Sequence, residues 1–220
     1  MTSVTDDNSS SRREQVAKLL RAAIIAGEME PGRLYSAPSL AARFGVSATP
    51  VREAMIALSN EGLVTASPNK GFRVSFPSIA QLRNILDVRL LLEVPTVVQV
   101  ARHGITPDQY EELHSAVDAG LRAASHDDLV ALVQADMDFH ETLLRLAGNP
   151  ELVAIVRTLR SQSRLGRWRG PGSHDALMET AGQHAELLEL VRDRDTTGVR
   201  DLMTRHIADL DSSMPHASLD

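Results

Sequence analysis

The 220-residue sequence contains no cysteine, few aromatic residues and no long apolar run. The absence of cysteine excludes disulfide bonds and thiolate metal sites. Aromatic residues make up only 3% of the chain while Leu, Ala, Val and Arg are plentiful, which favours helices packed through aliphatic side chains. No stretch approaches about eighteen uninterrupted apolar residues, and the opening MTSVTDDNSSS lacks the apolar core of a signal peptide. We therefore expect a soluble cytoplasmic protein that does not enter a membrane.

The net charge of −6 is divided unevenly along the chain. Residues 1–76 carry nine Lys and Arg against seven Asp and Glu, whereas the remaining residues carry fourteen against twenty-two. A mildly basic first third on an acidic body is compatible with a nucleic-acid-binding N-terminal part. The imbalance is small, and surface solubility alone could produce it.

The N-terminal part begins with two predicted helices. The first covers about residues 11–26, where an apolar stripe recurs at helical spacing before a glycine. The segment MEPGRLY then predicts a turn, because Pro and Gly interrupt the pattern. A short second helix follows, with Ser36 or Ser39 as its N-terminal cap.

A third helix and a β-hairpin complete this part. After a turn at Gly45, Ser47 or Ala48 lies near the cap, and Pro50 occupies the first helical turn, where its missing N–H costs nothing. Gly62 ends the helix. The segments LVTASP and FRVSF alternate in polarity around the turn NKG, which predicts a hairpin. Three helices and a hairpin in this order predict a winged helix-turn-helix whose third helix enters a DNA major groove.

The stretch SLAARFGVSATPVREAMIALSNEGLVTASPNKGFRV resembles the DNA-binding domain of the GntR family of bacterial transcription regulators. The resemblance covers roughly residues 14–78. It implies DNA contacts at the start of the third helix, by Thr49 and Arg52 with Ser47 beside them. It also implies an approach to the minor groove by Lys70 and Gly71 at the tip of the wing.

Two positions of the sequence depart from the family pattern, and one of the candidate DNA-contacting residues has an alternative role. Ala48 and Pro38 stand where relatives commonly carry arginine or another charged residue, so the operator sequence cannot be carried over. Arg52, if it does not contact DNA, is a surface ion-pair partner of Glu53 or Glu61.

The remainder of the chain shows only helical periodicity. Residues 78–212 predict an all-α bundle of about six helices, the first of them bent near Pro95. The fold class is therefore mainly α, with a winged helix-turn-helix over residues 11–77 ahead of the bundle. Residues 1–10 are predicted to form a disordered tail, and residues 213–220 a polar one.

Four residues of the bundle have the spacing and chemistry of a metal site. Asp136 and His140 are four residues apart and hence on one helix face, while His184 and His206 lie on the last two helices. Three imidazoles and a carboxylate would bind a divalent ion with positions open for water or a ligand. Zinc or nickel suits this set best, with manganese or iron next.

Each of these residues also has an ordinary interpretation. Asp136 and His140 alone could be a simple helix pair, and a lone histidine on a partly apolar helix is usually a core or boundary residue. That interpretation is given to the other five histidines: His103, His114, His126, His174 and His216.

The bundle segment, with its D-x-x-F-H and AGN motifs, resembles the FCD effector domain of the FadR-like subgroup of the same family. That resemblance implies a metal site at the four residues. The segment DVRLLLE resembles a subgroup motif whose arginine points into the cavity, so Arg89 is a candidate to bind a small carboxylate effector. A salt bridge from Arg89 to Glu93 is the equal alternative. Four further arginines were predicted to lie on a solvated or interdomain surface: Arg160, Arg164, Arg167 and Arg169.

Together these features predict a homodimeric, ligand-responsive transcription regulator and not an enzyme. Each head would bind one half-site of a near-palindromic operator. One alternative is a regulator with a purely structural metal and no small effector. The other is a metal-dependent hydrolase, since such an ion could activate water.

Overall fold

The computed structural model describes the backbone of residues 5–165 and 173–212, and the side chains of residues 12–165 and 178–208. The helices are α1 (Thr5–Ile25), α2 (Ala37–Phe44), α3 (Ala48–Asn60), α4 (Ile79–His103), α5 (Pro107–Ser125), α6 (Leu129–Arg145), α7 (Pro150–Ser163), α8 (Ser173–Arg192) and α9 (Thr196–Ser212). The strands are β1 (Leu34–Tyr35), β2 (Val64–Ser67) and β3 (Gly71–Val74). We call α1–β3 the head and α4–α9 the bundle. The mainly α fold, a winged helix-turn-helix followed by a helical bundle, is confirmed.

Local capping sets the turn between α2 and α3. The Ser36 hydroxyl accepts a hydrogen bond from the Ser39 N–H at 3.2 Å, which starts α2. Gly45 ends α2 with a φ of 67°, the left-handed conformation that glycine adopts most easily. Ser47 precedes α3 as predicted, but its side chain makes no capping hydrogen bond and stays exposed.

The wing has a third strand that the sequence did not predict. Leu34 and Tyr35, assigned to a turn, pair antiparallel with β3, so the strand order is β1-β3-β2. Two residues are too few to show the alternation that identifies a strand in a sequence. Gly71 has a φ of 120°, and a Cβ there would collide with the Tyr35 carbonyl oxygen. Close pairing of β1 with β3 therefore requires glycine at the wing.

The first helix begins earlier than predicted. Helix α1 starts at Thr5 and not at Ser11, so residues 5–10 of the predicted tail are helical. Residues 1–4 and the predicted polar tail, residues 213–220, lie outside the described residues.

The bundle has the six helices that the periodicity predicted. Ser78 and Thr106 each form a reciprocal capping box, with Gln81 and Gln109 respectively, and so fix the starts of α4 and α5. Pro95 lies inside α4. No helix in the part of the chain that the structure describes combines the length and apolarity needed to span a bilayer.

Three apolar clusters hold the molecule together. The head core includes Leu20, Ile24 and Leu58, and the bundle core joins α4 to every later helix of the bundle. A third cluster packs Ala22 and Ile25 of α1 against α5, α6 and α8. Helix α1 therefore belongs to the head on one face and packs on the bundle with the other.

Candidate metal centre and nucleic-acid interface

The fold brings the four predicted metal ligands together inside the bundle. Asp136 and His140 come from α6, His184 from α8 and His206 from α9. Their ligand atoms all lie within 4.8 Å of one another, and each residue is at most 5% exposed. The helix pair on α6 thus meets one histidine from each of two other helices.

The distances within the cluster fit one metal ion. His140 Nε2 lies 3.1 Å from His184 Nε2, and the Asp136 Oδ1 atom lies 3.2 Å from His184 Nε2 and 3.8 Å from His140 Nε2. Two donor atoms that each lie about 2.0–2.1 Å from one ion are roughly 2.8–3.0 Å apart at an octahedral angle of about 90° and roughly 3.3–3.4 Å apart at a tetrahedral angle. The two shorter separations fall between these values, and the third is longer.

The protonation of the histidines also suits a cation. Burial lowers the pKa of His140, His184 and His206, and the nearby arginines lower them further, although Asp136 opposes the shift. Neutral imidazoles present a lone pair to a metal, whereas imidazolium does not.

Gln183 and Phe139 orient two of the ligand rings. His206 Nδ1 lies 2.7 Å from the Gln183 side-chain oxygen, and because that oxygen only accepts, Nδ1 carries the proton. His206 Nε2 is then the lone-pair atom, and it is buried without a hydrogen-bond partner among the described residues. The Phe139 ring stacks on His184 with ring centroids 4.9 Å apart. A buried ring nitrogen that has a lone pair and no hydrogen-bond partner is suited to bind a metal ion.

Two arginines beside the cluster contradict their predicted surface position. Arg160 and Arg164 on α7 and at its end are 3% and 1% exposed. Arg164 Nη2 donates to Asp136 Oδ1 at 2.6 Å, and Arg160 Nη2 donates to Asp136 Oδ2 at 3.2 Å. They were missed because arginine is rarely buried, although their four-residue spacing places both on one helix face. Arg167 and Arg169 lie outside the described residues.

Arg89 lies in the same charged layer, fully buried. Its Nε donates to Glu93 Oε1 at 2.6 Å and its Nη1 to the Ser163 hydroxyl at 2.9 Å. The alternative salt bridge is therefore formed. Glu93 Oε2 in turn accepts from Arg160 Nη1 at 2.6 Å, which links Arg89 to the metal cluster. The Nη2 atom of Arg89 is buried with no hydrogen-bond partner in the described chain.

The arginines and carboxylates of this layer are charged although they are buried. Burial lowers the pKa of Arg89 to about 10, against the pull of Glu93, so the guanidinium stays charged at neutral pH. Burial opposes ionisation of Asp136 as well, but Arg164 and Arg160 outweigh it and hold its pKa well below the usual range. Among the described residues, the guanidiniums of Arg89, Arg160 and Arg164 therefore share this layer with the carboxylates of Glu93 and Asp136.

The predicted DNA-contacting residues lie on the surface of the head. Ser47, Thr49 and Arg52 are exposed at the start of α3, and Lys70 is exposed in the loop before Gly71. The α3 and wing candidates are thus brought to the surface as the prediction requires.

The ion pairs that were the alternative for Arg52 are not found. Glu61 is held by Arg21 at 2.6 Å instead. In the described part of the chain Arg52 has no ion pair with either Glu53 or Glu61. Its guanidinium therefore remains available at the protein surface.

The remaining described histidines make local contacts. His103 and His126 each place Nδ1 2.8 Å from a backbone oxygen one turn earlier, and His114 lies 3.6 Å from Asp118. The side chains of His174 and His216 lie outside the described residues.

Comparisons with known proteins identify both halves. Residues 84–209 match the FCD domain, and residues 12–74 match the bacterial regulatory proteins of the gntR family. The chain belongs to the GntR family, with an FCD domain after its helix-turn-helix domain. The FadR-like assignment fits that FCD domain.

Relatives of similar length support this assignment. An HTH-type transcriptional regulator from an unstable DNA locus of Streptomyces ambofaciens is 31% identical, over 91% of this chain and 84% of its own. The transcriptional repressor RspR of Escherichia coli is 27% identical, over 91% of this chain and 88% of its own. The solved structure of E. coli McbR/YncC matches with a TM-score of 0.70 at 25% identity, covering 96% of this chain and 98% of the other.

The protein is thus a bacterial DNA-binding transcription regulator. The family and the named relatives consist of regulators, so the protein is not an enzyme and the hydrolase alternative is wrong.

Proposed function

We propose that the protein is a homodimeric regulator whose bundle binds a divalent metal ion and, through it, a small carboxylate effector. The observation that carries the proposal is the buried cluster of Asp136, His140, His184 and His206. A bound ion would supply Lewis-acidic positions beyond its four protein ligands. Neutral imidazoles with one carboxylate suit zinc or nickel first, then manganese or iron.

The buried Arg89 guanidinium near the cluster supports an anionic effector. Arg89 Nη2 is a buried donor without a hydrogen-bond partner in the described chain, and a carboxylate oxygen would satisfy it. Because Arg89 already pairs with Glu93, the effector would share this guanidinium and not replace the pair.

The DNA contacts proposed for the head are supported by the exposed positions of its candidate DNA-contacting side chains and by the positive charge of Arg52 and Lys70. Arg52 on α3 would reach a guanine edge or a phosphate, Thr49 and Ser47 a phosphate oxygen, and Lys70 with Gly71 the minor groove. The relatives RspR and the gluconate operon protein of Bacillus subtilis are named repressors, and repression is the action we propose here.

Dimer formation is supported by an apolar stripe on α4. Val88 is 41% exposed and Leu91 is 74% exposed, one turn apart on this long helix, with Phe76 70% exposed shortly before it. Such a stripe on a helix surface is typical of an interface with a second copy. Two heads would then bind half-sites about one helical turn apart.

The metal is tested by purifying the protein without chelator and measuring its metal content. We expect about one ion per chain in the wild type and none in His140→Ala, while His103→Ala on the surface of α4 serves as the matched control. If the ion docks an effector, His140→Ala loses the response to small carboxylates and still binds DNA. If the ion is structural, the same variant melts at a much lower temperature. Wild-type protein that holds no zinc, nickel, manganese or iron contradicts the site.

The head is tested by measuring operator affinity. Arg52→Ala should weaken specific binding by roughly 1–3 kcal/mol if it reads a base, or lower the salt dependence if it binds a phosphate. Arg122→Ala on the exposed face of α5 is the control. Unchanged affinity in a folded Arg52→Ala variant removes this residue from the interface.

A further inference from the structure

The end of α7 touches both the charged layer and the head within four residues. Ser163 accepts a hydrogen bond from Arg89, and Arg164 donates to Asp136. Gln162 Nε2 donates to the Glu61 carbonyl oxygen at 2.7 Å, and Leu165, 5% exposed, is part of the head core. Two contacts to the charged layer, at Ser163 and Arg164, therefore lie between two contacts to the head in one short segment, Gln162–Leu165.

The contact made by Gln162 is at the end of the helix proposed to read DNA. Glu61 is the C-terminal cap of α3, and its carbonyl is one of the oxygens that a helix end leaves without an intrahelical partner. The next residue, Gly62, packs so closely that a Cβ there would lie 2.7 Å from Gln162 Nε2. A displacement of Gln162 therefore changes both the support and the position of this end of α3.

Other contacts between head and bundle are less suited to carry a signal from the cluster. The Lys18 ammonium pairs with Asp138 at 2.6 Å, but both side chains are about half exposed, and such pairs hold a position weakly. The apolar contact of Ala22 and Ile25 with the bundle involves no residue of the charged layer.

We infer that Gln162–Leu165 is the connection through which the metal cluster controls the placement of α3. This inference rests on the proposed function. A metal ion and the Arg164 guanidinium are cations that bind the same carboxylate, Asp136, so the ion weakens the hold of Asp136 on Arg164. Arg164 is covalently followed by Leu165 in the head core, and it is preceded two residues earlier by Gln162. Metal binding and DNA binding are then coupled, and each changes the other by the same factor.

The test uses the full-length protein with zinc ion alone as the probe. Operator affinity is measured with and without saturating zinc in the wild type, in Gln162→Ala and in Thr158→Ala. Thr158 is the matched control, because it lies on α7 and its hydroxyl donates to the Ala154 carbonyl oxygen of the same helix. We expect zinc to change operator affinity roughly fivefold or more in the wild type and the control. In Gln162→Ala the change should be less than about twofold, with zinc affinity retained.

A second measurement does not depend on metal. Hydrogen exchange in chelator is followed at the Gly62 and Leu63 amides, which donate to Ser59 and Leu58 at the end of α3. Arg164→Lys, which keeps the charge but loses the planar fork, should speed their exchange several-fold, and Asp136→Asn should do the same.

The outcomes separate this inference from the proposed function. Equal zinc responses in all three proteins overturn the connection and leave the metal site standing. If the wild type binds no zinc, the proposed function fails, and the exchange result decides the connection by itself. Exchange at Gly62 and Leu63 that is unchanged in both variants overturns the connection.

Discussion

The two main cores of this protein differ in the polarity of their buried side chains. The head core is apolar, with Leu20, Ile24, Met55 and Leu58 almost completely buried. The bundle has a similar apolar core, but a layer of buried charge and imidazole passes through it: Arg89, Glu93, Asp136, His140, Arg160, Arg164, His184 and His206. Buried charge contributes little net stability compared with apolar packing of the same volume. The buried charged layer is therefore explained better by the binding proposed for it than by stability, whereas the head core is explained by packing alone.

The largest effect expected is from removing the carboxylate at the centre of the layer. Asp136→Asn leaves Arg160 and Arg164 buried with less compensation, and such a loss costs about 3–5 kcal/mol of unfolding free energy. Denaturant unfolding in chelator measures it. Asp138→Asn is the matched control, because it breaks only the exposed pair with Lys18 and should cost less than about 1 kcal/mol. Equal costs for the two variants would mean that the layer is not electrostatically coupled.

The head core should respond much more to side-chain volume than to metal. Leu58→Ala removes a fully buried side chain and should cost roughly 2–5 kcal/mol. Since the head core holds none of the metal ligands and the proposed connection reaches it through Gln162–Leu165, the cost should differ little between zinc and chelator. A cost that changes with zinc by more than about 1 kcal/mol would remove the distinction drawn between the two cores.

A further effect expected is a dependence of stability on mildly acidic pH. The folded-state pKa values of His140, His184 and His206 are lowered, so the unfolded chain takes up protons first as the pH falls below about 6.5. The contribution of the neutral histidines to the unfolding free energy is complete above that pH. It is lost as the pH falls towards the pKa values that these histidines have in the folded protein. Each histidine contributes at most about 1.4 kcal/mol per pH unit in this window.

Unfolding free energies in chelator at about pH 7.5 and 5.5 measure this dependence. His206→Gln should make the curve shallower, and a flat wild-type curve would contradict neutral, buried histidines.

The sequence alone was enough to predict the structure at positions where the residue type permits few backbone conformations. The helix-turn-helix followed from Gly45, Pro50 and Gly62, whose backbone preferences place turns and helix starts. The meeting of Asp136 and His140 with His184 and His206 was expected from the helical spacing of the first two and from the family motif, and metal binding by them remains a proposal.

The sequence was insufficient where the outcome depends on distant partners. Arg160 and Arg164 have the composition of a surface segment, and only their pairing with Asp136 and Glu93 permits burial. Similarly, Leu34–Tyr35 form a strand because they pair with the edge of β3. The sequence around these two residues contains no pattern that predicts this pairing.

The double packing of α1 limits how this regulator can be recombined. Ile24 belongs to the head core, and the next residue, Ile25, belongs to the cluster with α5, α6 and α8. A chimera that grafts the head of another regulator onto this bundle therefore also replaces one wall of the bundle. Exchange of DNA specificity by such grafting will succeed only with donors whose first helix matches the bundle at Ala22 and Ile25. Substitutions confined to α3 and the wing avoid this constraint.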